Sequence, residues 1–300
     1  MRVRSMLFTL FGDYVRHYGG TIWIGSLIAL MAELDVTASA VRAAVSRMSR
    51  QGWLVPSRAG RASYYALTPR GGDRIEEAAA RIFKLSPEPW DRRWRMLVVP
   101  SAGPAREQRA GLRRELEWMG FARIAPGQYI SPNDLVARLG AVEERYGLAG
   151  RIETFVGRHA AGSTDEALVA RAWDLEAIDA AYEGFLAAWQ PRLDARRRAS
   201  AEVPDAEAFA EKTRLVHEFR KLLFIDPGLP QELLPPRWSG LEARGAFSAY
   251  YHLLAEGALR CFEAHYRPAP GREADLPDGR RAARRDPFRP AVPAARGQPP

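Results

Sequence analysis

Apolar positions recur at helical spacing from the first residues of the chain. Met6, Leu7, Leu10, Phe11, Tyr14, Val15 and Tyr18 form one stripe, ended by Gly19-Gly20, and Ile24, Leu27, Ile28, Met31 and Leu34 form a second. After the link Asp35-Val36-Thr37, with Thr37 as N-cap, a third helix is predicted from about Ala38 to Gln51. Two β-prone runs follow, Gly52-Trp53-Leu54-Val55-Pro56 and Ser63-Tyr64-Tyr65-Ala66-Leu67, around a tip at Ala59-Gly60-Arg61. They read as a hairpin. Three helices followed by a hairpin is the element order of a winged helix-turn-helix.

A helical stretch from Pro69 to about Lys84 leads to Ser86-Pro87-Glu88-Pro89, a turn-rich joint and a predicted domain boundary. The next segment opens on the strand-like run Trp94-Arg95-Met96-Leu97-Val98-Val99. A helix over 105–119 follows, then a hairpin signature around Ala125-Pro126-Gly127, a helix marked by Leu135, Leu139, Val142 and Tyr146, and a strand over 151–156. The order βαββαβ predicts a ferredoxin-like sandwich. Beyond Gly162 the pattern is helical. Leu168, Leu175, Ile178, Tyr182, Phe185 and Trp189 make one core-facing stripe, Phe209, Val216 and Phe219 another, and Phe247 to Tyr266 a last helix. From Arg267 onward Pro and Arg dominate and apolar residues are scarce, which predicts disorder. The chain thus reads as an α+β multidomain protein. It has a winged helix-turn-helix domain at 1–86, a central ferredoxin-like domain at 90–160, a helical C-terminal domain at 163–266 and a disordered Arg/Pro-rich tail at 267–300.

Composition removes several classes of function. A single cysteine, Cys261, excludes an internal disulfide framework and an all-cysteine metal site. No apolar run approaches the roughly 18–20 residues that a membrane span requires. The basic start runs into amphipathic periodicity without a small-residue cleavage site, so a cytoplasmic protein without a signal peptide is expected. The net charge of +8 makes an anionic partner plausible. Arg-rich usage alongside abundant Ala, Gly and Pro also follows genomic base composition, however, so position is more informative than the total. Residues 1–75 hold ten Arg against four acidic residues, and 267–300 hold eight Arg against four.

The predicted third helix has two faces. Val41, Ala44, Val45 and Met48 form a buried stripe. Ser39, Arg42, Ala43, Ser46 and Arg50 repeat on another face with Arg47 beside them, and no acidic residue occurs from Thr37 to Gly52. A helix entering a major groove needs small residues for close approach and Arg or Ser to reach base edges and phosphates. Arg58 and Arg61 flank the hairpin tip, where a wing meets backbone phosphate. Thr37, Ser39, Arg42, Ala43, Ser46, Arg47, Arg50, Arg58 and Arg61 are therefore the candidate DNA contacts.

Several segments together resemble a known family. They are the run from Arg4 to Tyr14, Val41-Arg42-Ala43-Ala44-Val45-Ser46-Arg47-Met48 with Gly52-Trp53-Leu54, Tyr64-Tyr65-Ala66-Leu67-Thr68 and Trp173-Asp174-Leu175. Most distinctive is Phe219-Arg220-Lys221-Leu222-Leu223-Phe224-Ile225-Asp226-Pro227-Gly228-Leu229-Pro230. Over residues 5–266 the chain is similar to the PaaX-type transcriptional regulators, repressors of phenylacetate degradation operons. The resemblance implies a homodimeric repressor on double-stranded operator DNA, with a winged-helix reader, a central ferredoxin-like domain and a helical C-terminal domain. It also implies an acyl-CoA effector, phenylacetyl-CoA in the best-known members, and no resident cofactor.

An acyl-CoA site needs cations for the phosphates and an apolar slot for the acyl group. His217, Arg220, Lys221 and Trp238 supply those types near the distinctive motif. The plainer reading makes Phe219 and Phe224 core, pairs Arg220 with an acid and gives Asp226-Pro227 a turn. The central fold order also resembles that of CRISPR-adaptation nucleases, but the first strand there runs into Pro100-Ser101-Ala102-Gly103 without the carboxylate such metal-dependent enzymes need. The five histidines are scattered, Cys261 sits in an apolar helix, and no glycine pair is followed by a P-loop lysine. Neither a catalytic nor a metal site is expected. The competing reading is an RNA-binding or protein-interaction module using the central domain and basic tail, with Tyr129 and Phe155 as its stacking candidates.

Overall fold

The computed structural model describes residues 3–86, 89–100, 106–160, 162–199, 202–272 and 276–289. Its elements in chain order begin with α1 (Val3–Asp13), a 3-10 turn (Val15–Tyr18), β1 (Thr21–Trp23), α2 (Ile24–Ala32) and α3 (Ala38–Arg50). β2 (Leu54–Ala59), β3 (Ala62–Leu67) and α4 (Pro69–Ile82) follow. Next come β4 (Trp94–Val98), α5 (Arg106–Met119), β5 (Ala122–Ala125), β6 (Gln128–Ser131), α6 (Leu139–Arg145) and β7 (Glu153–Gly157). The remainder is helical: α7 (Asp165–Ala172), α8 (Leu175–Arg198), α9 (Asp205–Leu222), α10 (Ser239–His265) and α11 (Leu276–Ala283). The protein is an α+β chain with two small antiparallel sheets. Internal contacts divide it into a first unit of 1–85, 189–219 and 245–300, and a second of 86–188 and 220–244.

In the first unit the stripes predicted for α1, α2 and α3 are the buried ones: Met6, Leu10, Phe11, Leu27, Leu30, Val41, Val45 and Met48 are all at most 1% exposed. Thr37 caps α3, its Oγ1 accepting from the Ala40 N–H at 3.4 Å. The sheet has the order β1-β3-β2. Pattern alone did not reveal β1, whose three residues pair with β3 through Thr21↔Ala66, Ile22↔Tyr65 and Trp23↔Tyr64. That pairing ties the chain entering α2 to the β2–β3 hairpin.

In the second unit the order is β-α-β-β-α-β and the strands lie β5-β6-β4-β7. Alternation along the strands feeds two apolar layers. Leu97, Phe121 and Tyr129 pack with Leu112, Leu116, Leu139 and Val142 of α5 and α6 on one side, while Trp94, Ala122 and Ile130 pack with Val169, Leu229 and Leu233 on the other. Tyr129 is therefore a core residue, and Phe155 stands 54% exposed on edge strand β7. The stretch 101–105 after β4 lies outside the described residues. The apolar stripe from Leu168 to Trp189 is divided between α7 and α8, and Asp174 caps the latter by accepting from the Ala177 N–H at 3.0 Å.

The tail differs from its sequence expectation. Residues 276–283 form α11, and Phe288 is 8% exposed. Composition counts few apolar residues there, but one phenylalanine that finds a ring cluster is enough to order a short segment. The part of the predicted disorder that falls on 290–300 lies outside the described residues. Among the described residues no helix is long and apolar enough to cross a membrane. No group of three or more His, Cys, Asp or Glu side chains there could hold a metal ion.

Candidate nucleic-acid interface

Burial sorts α3 into the two faces its sequence predicts. Val41, Ala44, Val45 and Met48 face inward, while Ser39, Arg42, Ala43, Ser46, Arg47 and Arg50 are exposed, as is Thr37 at the cap. Arg58 and Arg61 are exposed on the hairpin. Among the described residues, none of the guanidinium groups of Arg42, Arg47, Arg50, Arg58 and Arg61 has an ion-pair or hydrogen-bond partner. With no acidic residue between Thr37 and Gly52, this is a concentration of uncompensated positive charge. An α-helix with small residues and free cations on one face has the shape and the donors for a B-DNA major groove.

The hairpin is closed at its base and held to α4 by a compact set of bonds. Arg58 pairs with Ser63 and Ala59 with Ala62, leaving Gly60-Arg61 as a two-residue loop. Gly60 has φ +59°, the left-handed conformation that a II′ hairpin turn assigns to its first loop position. At the base, Thr68 Oγ1 donates to the Gly52 carbonyl at 2.8 Å, and the Thr68 N–H donates to the Trp53 carbonyl at 3.1 Å. Thr68 is also the N-cap of α4, accepting from the Gly71 N–H at 3.1 Å, with Pro69 at the first helical position. A Cβ on Gly71 would stand 2.8 Å from the Trp53 carbonyl oxygen, so only glycine lets α4 approach this closely. Phe8 of α1 packs edge-on against Trp53 at 5.3 Å, and the Arg70 guanidinium covers the same ring at 4.5 Å.

The other end of α1 is anchored by a buried ion pair. Asp13 Oδ2 accepts from Lys212 Nζ at 2.6 Å, and its Oδ1 accepts from Tyr251 Oη at 2.8 Å. The ammonium also lies 4.3 Å from the Tyr14 ring centre and 4.1 Å from that of Tyr251. Burial pushes the Lys212 ammonium down from its ordinary range, with Asp13 opposing, and pushes both tyrosine hydroxyls well up. Burial, with Arg16 adding to it, lowers His17 to about 4.

Three of the effector candidates share α9, and Trp238 directly precedes α10. His217 is buried in the first unit, with Nδ1 3.2 Å from Thr9 Oγ1. Arg220, Lys221 and Trp238 belong to the second unit, where Trp238 packs edge-on against Tyr182 at 5.9 Å. Asp226 shapes the turn of the distinctive motif. Its Oδ1 accepts from the Gly228 N–H at 2.7 Å, and its Oδ2 accepts from Tyr182 Oη and from Arg244 at 3.1 Å. Phe219 is core, but Phe224 is 63% exposed, resting on Trp118, so the reading of Phe224 as core is corrected. Sequence reasoning missed the residues that brace these elements, Thr68, Gly71, Asp13 and Lys212. The Thr-Pro step opening α4 was the one local signal for any of them.

A basic, groove-sized helix braced against a hairpin defines a candidate duplex-DNA reader. Comparison with known proteins gives it a family. The profile described as PaaX-like protein matches residues 2–71, the PaaX protein central Cas2-like domain matches 87–169, and the PaaX-like protein C-terminal domain matches 173–264. The chain is 33% identical over 258 residues to the transcriptional repressor PaaX of Escherichia coli (strain K12), covering 85% of this chain and 81% of that one. Among solved structures it is similar to the uncharacterized protein Rv0674 from Mycobacterium tuberculosis. There the TM-score is 0.50 and the identity 26%, over 80% of this chain and 89% of that one. The chain belongs to the PaaX family, a family of transcriptional regulators and not of enzymes.

Proposed function

We propose that this protein is a DNA-binding transcriptional repressor whose first unit works as a winged helix-turn-helix. In this reading α3 enters the major groove and the β2–β3 hairpin is the wing. The observation that carries it is the outward face of α3, where exposed Arg42, Arg47 and Arg50 have no ionic partner among the described residues. Arg42 and Ser46, in the middle of that face, read base edges, and Ala43 keeps the approach close. Thr37, Ser39, Arg47 and Arg50 at its two ends, with Arg58 and Arg61 on the wing, take phosphates.

The second unit, with its βαββαβ order, serves as a ferredoxin-like body, and the repressor works in the cytoplasm as a homodimer. Two copies of α3 then meet successive major-groove turns, about 34–36 Å apart, on an inverted-repeat operator. The resemblance to regulators of phenylacetate catabolism supports an aromatic-acid operon as the target and an acyl-CoA such as phenylacetyl-CoA as the releasing ligand. His217, Arg220, Lys221 and Trp238 are the residues to test for that ligand. Release requires the ligand to bind the DNA-free state more tightly than the DNA-bound one.

The experiment is footprinting of the duplex upstream of the protein's own gene and adjacent catabolic genes, with and without phenylacetyl-CoA. A two-fold symmetric footprint erased by the ligand is the expected result. A symmetric footprint that ignores it rejects that effector alone, and no footprint on any duplex rejects the repressor reading.

A further inference from the structure

The Val15–Tyr18 turn and β1 are joined by two left-handed glycines in succession, Gly19 at φ +75° and Gly20 at φ +70°. A chain that reverses this way presents carbonyls that neither a helix nor a sheet satisfies, and buried ones need donors from elsewhere. Here the donors come from the end of α10 and the residues after it. Tyr266 Oη stands 2.8 Å from the Tyr18 carbonyl oxygen and 3.0 Å from that of Thr21. Arg272 Nη1 donates to the Gly19 carbonyl at 3.2 Å. The Arg267 N–H donates to Ser26 Oγ, in the first turn of α2, at 3.2 Å. One hydroxyl proton on Tyr266 is shared between two carbonyls, so its loss orphans both.

The rings around Tyr266 fix where that hydroxyl points. Tyr266 stacks on the fully buried Phe262 at 5.2 Å and tilts against Tyr18 at 5.1 Å. Tyr18 Oη in turn donates to Glu263 at 2.6 Å. What the hydroxyl holds is the strand that carries the hairpin. β1 is three residues long, and it pairs with β3 through Thr21↔Ala66, Ile22↔Tyr65 and Trp23↔Tyr64. β3 pairs with β2 as far as Ala59↔Ala62, beside Arg61. A bonded path therefore runs from α10 through Tyr266 and Thr21 into β3 and on to Arg61. No residue of α3 lies on it.

We propose that Tyr266 is a positioning residue of the DNA reader, holding β1 where the β2–β3 hairpin presents Arg61. This rests on the reading of the hairpin as the wing. Tyr266 touches no DNA and acts through the Thr21 carbonyl. It makes placement of the wing depend on α10, so a change at the end of α10 alters DNA contact without any change in the side chains of α3.

The test uses the full chain, and its first arm needs no DNA. Tyr266→Phe keeps the ring and removes the hydroxyl. Hydrogen–deuterium exchange should quicken in peptides covering β1 and the hairpin by about threefold or more, as loss of a buried hydrogen bond predicts. Peptides of α3 should exchange as in the wild type. Ser26→Ala removes only the neighbouring bond to α2 and should leave the hairpin unchanged. Uniformly faster exchange across the first unit in Tyr266→Phe, or equal loosening of the hairpin in both variants, would make Tyr266 a packing residue and overturn the proposal. The second arm is a double-mutant cycle on the duplex upstream of the protein's own gene, at one salt concentration. Arg61→Ala should cost the wild type a larger fold loss of affinity than it costs Tyr266→Phe, and equal losses would overturn the coupling. Should Arg61→Ala cost the wild type nothing, the wing reading fails, and the exchange arm alone decides whether Tyr266 holds the hairpin.

Discussion

Asp13 and Lys212, 199 residues apart in the chain, meet at 2.6 Å inside the first unit with both side chains at most 4% exposed. A pair this buried costs desolvation on both sides, and its geometry repays that cost only while both partners are present. Lys212→Met leaves the Asp13 carboxylate buried against Tyr251 alone and should destabilise the protein by about 3–5 kcal/mol. The double variant Asp13→Asn with Lys212→Met removes both charges and should recover a large part of that loss. Urea unfolding of the single and double variants measures it, and purely additive losses would contradict the pairing.

The recognition face predicts two kinds of DNA phenotype. Arg42→Ala or Ser46→Ala should weaken operator binding by about 1–3 kcal/mol and relax selectivity at the base pairs they reach. Arg61→Ala, at the wing tip, should weaken all duplexes alike and reduce the salt slope by about one. A loss in Arg61→Ala confined to one operator position would contradict a phosphate role. Binding measured across single-base operator variants at two salt concentrations separates the cases.

Placement of the β2–β3 hairpin depends on Thr68 and Gly71. Thr68→Val loses the cap of α4 and the bond to the Gly52 carbonyl, for about 1–2 kcal/mol. Gly71→Ala forces its new methyl against the Trp53 carbonyl, so α4 and the hairpin base must separate. Both variants should lose DNA affinity while every α3 side chain stays in place. Full affinity in a thermally destabilised Gly71→Ala would show that the hairpin base does not position the reader.

His17 gives the fold an acid sensitivity. Its folded value of about 4 lies below the ordinary imidazole value of 6.5 because burial disfavours the charged ring. Between those values the unfolded chain holds a proton that the folded chain does not. Stability therefore falls as pH drops from about 6.5 to about 4, by up to about 3 kcal/mol. His17→Gln should flatten that part of the profile in a denaturation series.

The periodicities of α1 and α3 were legible because each needs only its own stripe: Val41, Ala44, Val45 and Met48 declare a buried face whatever lies beneath it. The polar face of α3 was legible for the same reason, as was the β-α-β-β-α-β order of the second unit. What escaped was set by partners distant in sequence. Nothing near Asp13 signals Lys212, three residues are too few for β1 to show an alternation, and Tyr129 looks exposed until α5 and α6 cover its face of the sheet. Phe288 was lost in an Arg/Pro background because composition averages over the one side chain that finds a pocket.

The central claim is that the exposed face of α3 reads duplex DNA sequence. Fluorescence anisotropy of the full chain and of Arg42→Ala, at one fixed physiological salt concentration, tests it most directly. The duplexes are one from upstream of the protein's own gene and a scrambled duplex of the same length. The account predicts tight binding of the wild type to the upstream duplex, weak binding to the scrambled one, and loss of most of that difference in Arg42→Ala. Equal affinity of the wild type for both duplexes, or an unchanged preference in Arg42→Ala, would contradict it.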